Sequence, residues 1–196
     1  MQPLLLLLFL LIGCAPENLQ VKLTTDAPNI SAPTPTADTL WATQFDYPVG
    51  PPNAKGYYNA QGFGKNTHLG DDWNGNGGGN TDLGDTVYAI ANGYITNAWD
   101  LQGGWGNVMR IAHYLPTGHE FAPAVESLYA HLDTMFFKAG VWVRKGTPIG
   151  TIGTAHGRYY AHLHLELRER LAMPLGGGYS DDTTGYINPD WFIRKY

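Results

Sequence analysis

Thr86-Val87-Tyr88-Ala89-Ile90, then Asn92-Gly93, then Tyr94-Ile95-Thr96: this stretch decides between a helical and a β chain. β-Branched and aromatic residues flank a dipeptide that favours a tight reversal, so it reads as two short strands joined by a turn. The same signal recurs outward along the chain at residues 107–113, 127–132, 141–143, 149–152 and 160–167. Each burst is about five residues long and ends in a glycine-rich break, the spacing of an antiparallel sandwich or barrel. With 25 glycines, 13 prolines and 13% aromatics, the composition favours many short strands over a bundle of helices. Residues 74–82 and 114–124 lack any pattern and read as surface loops fit to border a site.

The 196 residues suffice for one well-packed domain and are short for two. A formal net charge of -5 leaves no basic footprint, so nucleic acid is excluded as an expected partner. The single cysteine, Cys14, follows an apolar run from Leu4 to Ile12 and then Gly13. That run is shorter than the roughly 20 residues a spanning helix needs, and it ends in small residues, so it reads as an export signal. Leu11-Ile12-Gly13-Cys14 resembles a bacterial lipobox, in which cleavage before the cysteine leaves a sulfur that carries lipid. Met1-Gln2-Pro3 departs from the usual pattern in having no Lys or Arg, and Ala15 is compatible with an outer-membrane address. Residues 15–39, rich in Pro, Thr, Ala, Asn and Asp, cannot bury enough surface to offset chain entropy. The expected organisation is a signal peptide over 1–13, a tether over 14–39 from lipidated Cys14, and a folded domain over 40–196. Such a protein is exported and faces the cell wall from a membrane surface.

Among seven histidines the decisive cluster is His162-Leu163-His164. In a strand, residues two apart project from the same face, so both imidazoles lie together while Leu163 and Leu165 turn to the opposite layer. Upstream, His68 and Asp72 stand four apart, and an extended segment puts them on one face with Asp71 turned away. Two imidazoles and a carboxylate make an ordinary catalytic zinc shell with the fourth position left to water. Alone, a His-x-His or a His-x-x-x-Asp carries little weight. A third histidine element, Tyr129-Ala130-His131-Leu132, raises it greatly.

Taken in order, His68-x-x-x-Asp72, Tyr129-Ala130-His131-Leu132 and His162-Leu163-His164-Leu165-Glu166 resemble the lysostaphin-like peptidoglycan metallopeptidases. Gly84 to Ala89, Gly93-Tyr94-Ile95, Gly104 to Val108, Lys145 to Gly150 and Asn188-Pro189 are similar to that family's framework, and the likeness covers roughly residues 62–192. It implies a mainly β fold, antiparallel sheets in a duplicated hybrid motif with a groove over the metal site. It also implies that His68, Asp72 and His164 bind Zn2+, that His131 and His162 are the catalytic pair, and that the substrate is a stem or cross-link peptide of peptidoglycan. Tyr159-Tyr160-Ala161 and the glycine-rich 74–82 insertion depart from the family pattern and alter the groove. The family's transition-state tyrosine lies just upstream of the first ligand, where Tyr57, Tyr58 and Phe63 are the candidates.

His113 sits at a framework position that can line the groove, whereas His119 and His156 read as solvated loop residues. Glu166 shares strand parity with the site histidines, and both a partner for an imidazole N–H and a surface ion pair fit it. In the implied mechanism, metal-activated water attacks the amide while His131 and His162 jointly move protons, and activity falls as an imidazole near its reference pKa of about 6.5 is protonated. A rival reading is a non-catalytic lysostaphin-like domain that binds and activates a cell-wall amidase, which makes a regulatory protein a further partner. A carboxypeptidase with a Glu-x-x-Trp-His string is not supported, because no such string occurs.

Overall fold

A computed structural model describes residues 40–196; the signal, Cys14 and the 14–39 tether lie outside the described residues. The described chain is the mainly antiparallel β architecture read from the sequence. Ten strands are β1 Tyr57–Gln61, β2 Asp71–Gly75, β3 Thr86–Tyr88, β4 Gly93–Asp100, β5 Asn107–Tyr114, β6 Ala124–Met135, β7 Trp142–Val143, β8 Pro148–Ile152, β9 Leu163–Arg168 and β10 Tyr186–Ile187. Among the described residues one α-helix, α1 Pro189–Lys195, follows the last strand, with the Asn188 side chain accepting from the Trp191 N–H and proline at the first turn.

The sheet runs β1-β2-β9-β6-β5-β4-β7, with β10 also on β9, and with β8 joining β3 to the end of β6. Every pairing is antiparallel. Pairing with period two sorts the side chains of β5, β6 and β9 into two faces. Met109, Ile111, Val125, Tyr129, Leu163, Leu165 and Leu167 enter the main apolar core, which α1 covers with Phe192 and Ile193. The opposite face carries Arg110, Glu126, His164, Glu166 and Arg168, and all of them are buried as well. The reading of 162–164 therefore holds for the leucines, although β9 begins one residue after His162, which is held by an isolated bridge to Gly153.

Three strands, β1, β2 and β10, were not among those expected, and β2 covers the beginning of the expected 74–82 loop. Asp-Asp-Trp-Asn-Gly has weak strand propensity, and it is extended because it is laddered between β1 and β9.

Candidate metal centre

The β2–β9 ladder sets Asp72 directly opposite His164, while His68 leaves a short 3-10 turn (Lys65–Thr67) and bridges Tyr179. Three donor atoms meet there. His68 Nε2 lies 3.0 Å from His164 Nδ1 and 3.3 Å from Asp72 Oδ1, and His164 Nδ1 lies 2.9 Å from Asp72 Oδ1. Gly70 allows this approach, because a Cβ there would stand 2.4 Å from the Leu165 carbonyl oxygen and 3.0 Å from the His164 ring. Asp71 is turned away, accepting N–H bonds from Phe63 and Asp190 at 2.9 Å each.

The far side of each ring fixes which nitrogen faces the centre. His68 Nδ1 is 3.1 Å from the Gln61 carbonyl, and His164 Nε2 is 3.2 Å from Glu166 Oε1; both partners only accept, so those nitrogens carry protons. In the neutral tautomers, His68 Nε2 and His164 Nδ1 thus present lone pairs to each other and to a carboxylate. Three such groups repel unless a cation stands among them. The same demand appears in the proton equilibria. Burial alone would push the His164 imidazolium pKa down, yet hydrogen bonds to Asp72 and Glu166 raise it to about 9. Burial would raise Asp72, but the His164 and His68 bonds outweigh it and hold the carboxyl far below the usual carboxylate range. A tetrahedral Zn2+ at about 2.0–2.2 Å from each ligand sets edges of about 3.3–3.6 Å. The observed triangle is a few tenths of an ångström tighter, so the residues present fit such an ion with a small outward adjustment.

His131 and His162 stand beside this triangle. Their ring centroids are 4.7 Å apart, His131 is 5.6 Å from the His164 ring, and His162 Nε2 is 3.9 Å from Asp72 Oδ1. His131 occupies an irregular stretch of the β5–β6 ladder at a φ of 62°. A positive φ in a histidine is uncommon and is held here by the His131 N–H bond to the Trp105 carbonyl at 3.0 Å. Gly153 lies directly beneath, where a Cβ would come within 2.4 Å of the His131 carbonyl oxygen. His131 Nδ1 approaches the Trp105 carbonyl at 3.3 Å and His162 Nδ1 approaches the Tyr160 carbonyl at 2.8 Å, so both rings keep Nε2 as the lone-pair atom. Burial, with the nearby His164 and His162, pushes His131 down to about 3.

All five expected side chains border one cleft of about 590 Å³ or the triangle at its floor, where His68 is buried. The cleft walls add Gln61, Trp105, Tyr159 and Tyr179, which the sequence reading did not assign. Tyr57, Tyr58 and Phe63 do not line it, and the Tyr57 hydroxyl donates to Asp85 at 2.6 Å instead. The tyrosines at the cleft are Tyr159, packed on His131, and Tyr179, packed on His68. A tyrosine pair shortly before the His-x-His pair was the available signal for the first; Tyr179 had none beyond its place in a long loop.

The remaining histidines separate cleanly. His113 is fully buried away from the cleft, bonded to the Asn92 carbonyl at 2.9 Å and the Ser127 hydroxyl at 2.7 Å, so it does not line the groove. His119 is half-buried against Tyr196 with centroids 4.3 Å apart, which replaces the solvated reading. His156 is exposed and pairs with Asp100 at 2.9 Å. Glu166 is completely buried and takes the imidazole-partner role, while Arg168 holds its other oxygen at 2.8 Å.

Comparison with known proteins gives the family and the fold. The family model described as Peptidase family M23 matches residues 68–178, more than half of the chain. The chain is 34% identical over 88 residues to the lipoprotein NlpD of Yersinia enterocolitica, covering 43% of this chain and 78% of that protein. Lysostaphin from Staphylococcus simulans has the same fold, with a TM-score of 0.54 at 22% identity over 81% of this chain. This chain spans 55% of that lysostaphin chain. The catalytic domain of the prophage-encoded M23 protein EnpA from Enterococcus faecalis has a TM-score of 0.51 at 20% identity, over 74% of this chain and 95% of that domain.

Proposed function

The chain belongs to peptidase family M23, and from that premise we propose that it is a zinc-dependent endopeptidase hydrolysing peptide cross-links of bacterial peptidoglycan. The observation that carries this reading is the meeting of three lone-pair donors, His68 Nε2, Asp72 Oδ1 and His164 Nδ1, within 4.8 Å of one another at the floor of an open cleft. Zinc in such a set supplies Lewis acidity and lowers the pKa of water to about 7. The chain supplies the rest. Burial favours the neutral form of His131, whose Nε2 is the lone-pair atom that accepts a proton. His162 offers a second Nε2 on the same wall, placed to take part in proton movement toward the leaving amine. Glu166 fixes the His164 ring through Nε2–H, and Arg168 holds Glu166, so the ligand does not rotate. Trp105 and Tyr179 wall the cleft.

Activity in acid is expected to fall together with zinc content, as protons displace the ion from its ligands. The localisation proposed is an exported lipoprotein held through Cys14, with residues 14–39 as a tether between membrane and wall.

Purified sacculi incubated with the full chain, with and without chelator, test the reading. Release of peptide fragments that stops with chelator and returns with zinc is the expected result, read by mass analysis. Sacculi unchanged in added zinc would support the amidase-activating reading instead.

A further inference from the structure

A second cleft of about 770 Å³ adjoins the first, and the two share Tyr159 and His162 as a common wall. Asn80, Leu83, Arg158 and Tyr160 form much of its remaining surface. Across the walls of both clefts Arg158 is the one Lys or Arg, as Asp72 is the one carboxylate.

The turn that presents Arg158 is held firmly. Its N–H and that of Tyr159 both donate to the Thr154 carbonyl, at 2.9 and 3.1 Å, and the Gly157 N–H donates to the Thr154 hydroxyl at 2.9 Å. His156, two residues earlier, is tied to Asp100. On the facing side, Asn80 Oδ1 accepts the Ala161 N–H at 2.8 Å and Asn74 Nδ2 donates to the Ala161 carbonyl at 3.2 Å. These bonds fasten the glycine-rich 74–82 segment to the residues entering His162. The Arg158 guanidinium itself is exposed and has no ion-pair or side-chain hydrogen-bond partner among the described residues. Around it, Leu83 is 48%, Tyr159 46% and Tyr160 74% exposed, an apolar surface without a cover.

A planar cation left unpaired on the wall of a substrate cleft matches a carboxylate in geometry and charge. We infer that this second cleft receives, through Arg158, a free carboxylate carried by the cell-wall peptide on one side of the bond to be cut. The inference rests on the peptidoglycan reading and narrows it. A cross-link through a diamino dicarboxylic acid, which keeps a free carboxylate beside the amide, satisfies Arg158; a cross-link through a monocarboxylic diamino acid or an uncharged glycyl bridge leaves it without a partner. The chain's formal net charge of -5 gives no general attraction for an acidic peptide, so a preference for one must come from this local contact.

The test uses the zinc-supplemented full chain and two peptides in which D-alanine is joined to the side-chain amine of a diamino dicarboxylic acid, on the carbon that bears the second carboxyl group. One keeps the free carboxylate and the other carries a carboxamide; for binding, a ketomethylene link replaces the scissile amide. The free acid is expected to bind about five- to tenfold tighter, the size of a partly screened charge-assisted contact. Arg158→Ala should erase that preference without changing affinity for the carboxamide, and Arg158→Lys should keep part of it. Equal binding of the two peptides, an unchanged preference in Arg158→Ala, or no measurable binding of either overturns the inference. A clear preference without cleavage of the corresponding amides supports the carboxylate subsite while sinking the hydrolase reading.

Discussion

The two faces of one sheet each bury a histidine, and they treat it oppositely. His113 on β5 faces the apolar core, where its neighbours are a carbonyl and a hydroxyl, and burial pushes its pKa down to about 4. His164 on β9 faces the polar side between Asp72 and Glu166, and its pKa rises to about 9 despite equal burial. Both strands flank β6, so depth and secondary structure are nearly matched. The difference shows that burial alone makes a histidine neutral, whereas a pair of carboxylates makes the same depth a place for a cation. The polar face continues that logic: Arg168 bonds Glu166 and the Met173, Pro174 and Leu175 carbonyls, and Arg110 bonds Glu126 and the Met173 carbonyl. A charged layer thus joins the candidate ligand to the loop that leads into the cleft wall at Gly177 to Tyr179.

The sharpest way to break the comparison is to remove each histidine in turn. His164→Ala should abolish zinc retention by elemental analysis, with far-ultraviolet circular dichroism preserved, whereas His113→Ala should leave the zinc content of the folded protein unchanged. Next in size, Arg168→Met leaves the buried Glu166 carboxylate without its cation and should cost about 3–5 kcal/mol in denaturant unfolding. Glu166→Gln keeps the shape but weakens the hold on His164, so zinc affinity measured by chelator competition should fall about 10- to 100-fold.

The apolar face yields a smaller, pH-dependent effect. Because the folded pKa of His113 lies below its unfolded value near 6.5, the unfolded chain binds more protons between about pH 4 and 6.5. His113 burial therefore stabilises fully above that window and is lost as pH falls through it, a change of roughly 2 kcal/mol between pH 7 and 5. A melting series across that range should be less steep in His113→Asn than in the parent chain. Smallest of all, His156→Ala removes an exposed pair with Asp100 and should change stability by less than about 1 kcal/mol.

The polar half of this contrast was legible in the sequence because strand parity is local, whereas His113 was read toward the groove and lies in the core. Leu163 and Leu165 entered the core and His164 the other face as alternation requires, and parity likewise separated Asp72 from Asp71. His131 was legible only by resemblance, since its direction comes from an irregular ladder and a positive φ, which alternation does not encode. The upstream tyrosines were misleading because β1 carries Tyr57 toward Asp85, away from the cleft. Tyr179 and Gln61 reach the cleft through loop and edge positions fixed by distant partners. His119 was read as solvated from its polar neighbours in sequence, yet the aromatic residues that cover it, Phe192 and Tyr196, come from the far end of the chain.

The most direct test is anomalous diffraction at the zinc edge from crystals of the zinc-loaded protein. One peak about 2.0–2.2 Å from His68 Nε2, Asp72 Oδ1 and His164 Nδ1 together is the expected result. A peak held by other side chains, or zinc-soaked crystals with no peak at that triangle, would contradict the assignment of this cluster as a cation site.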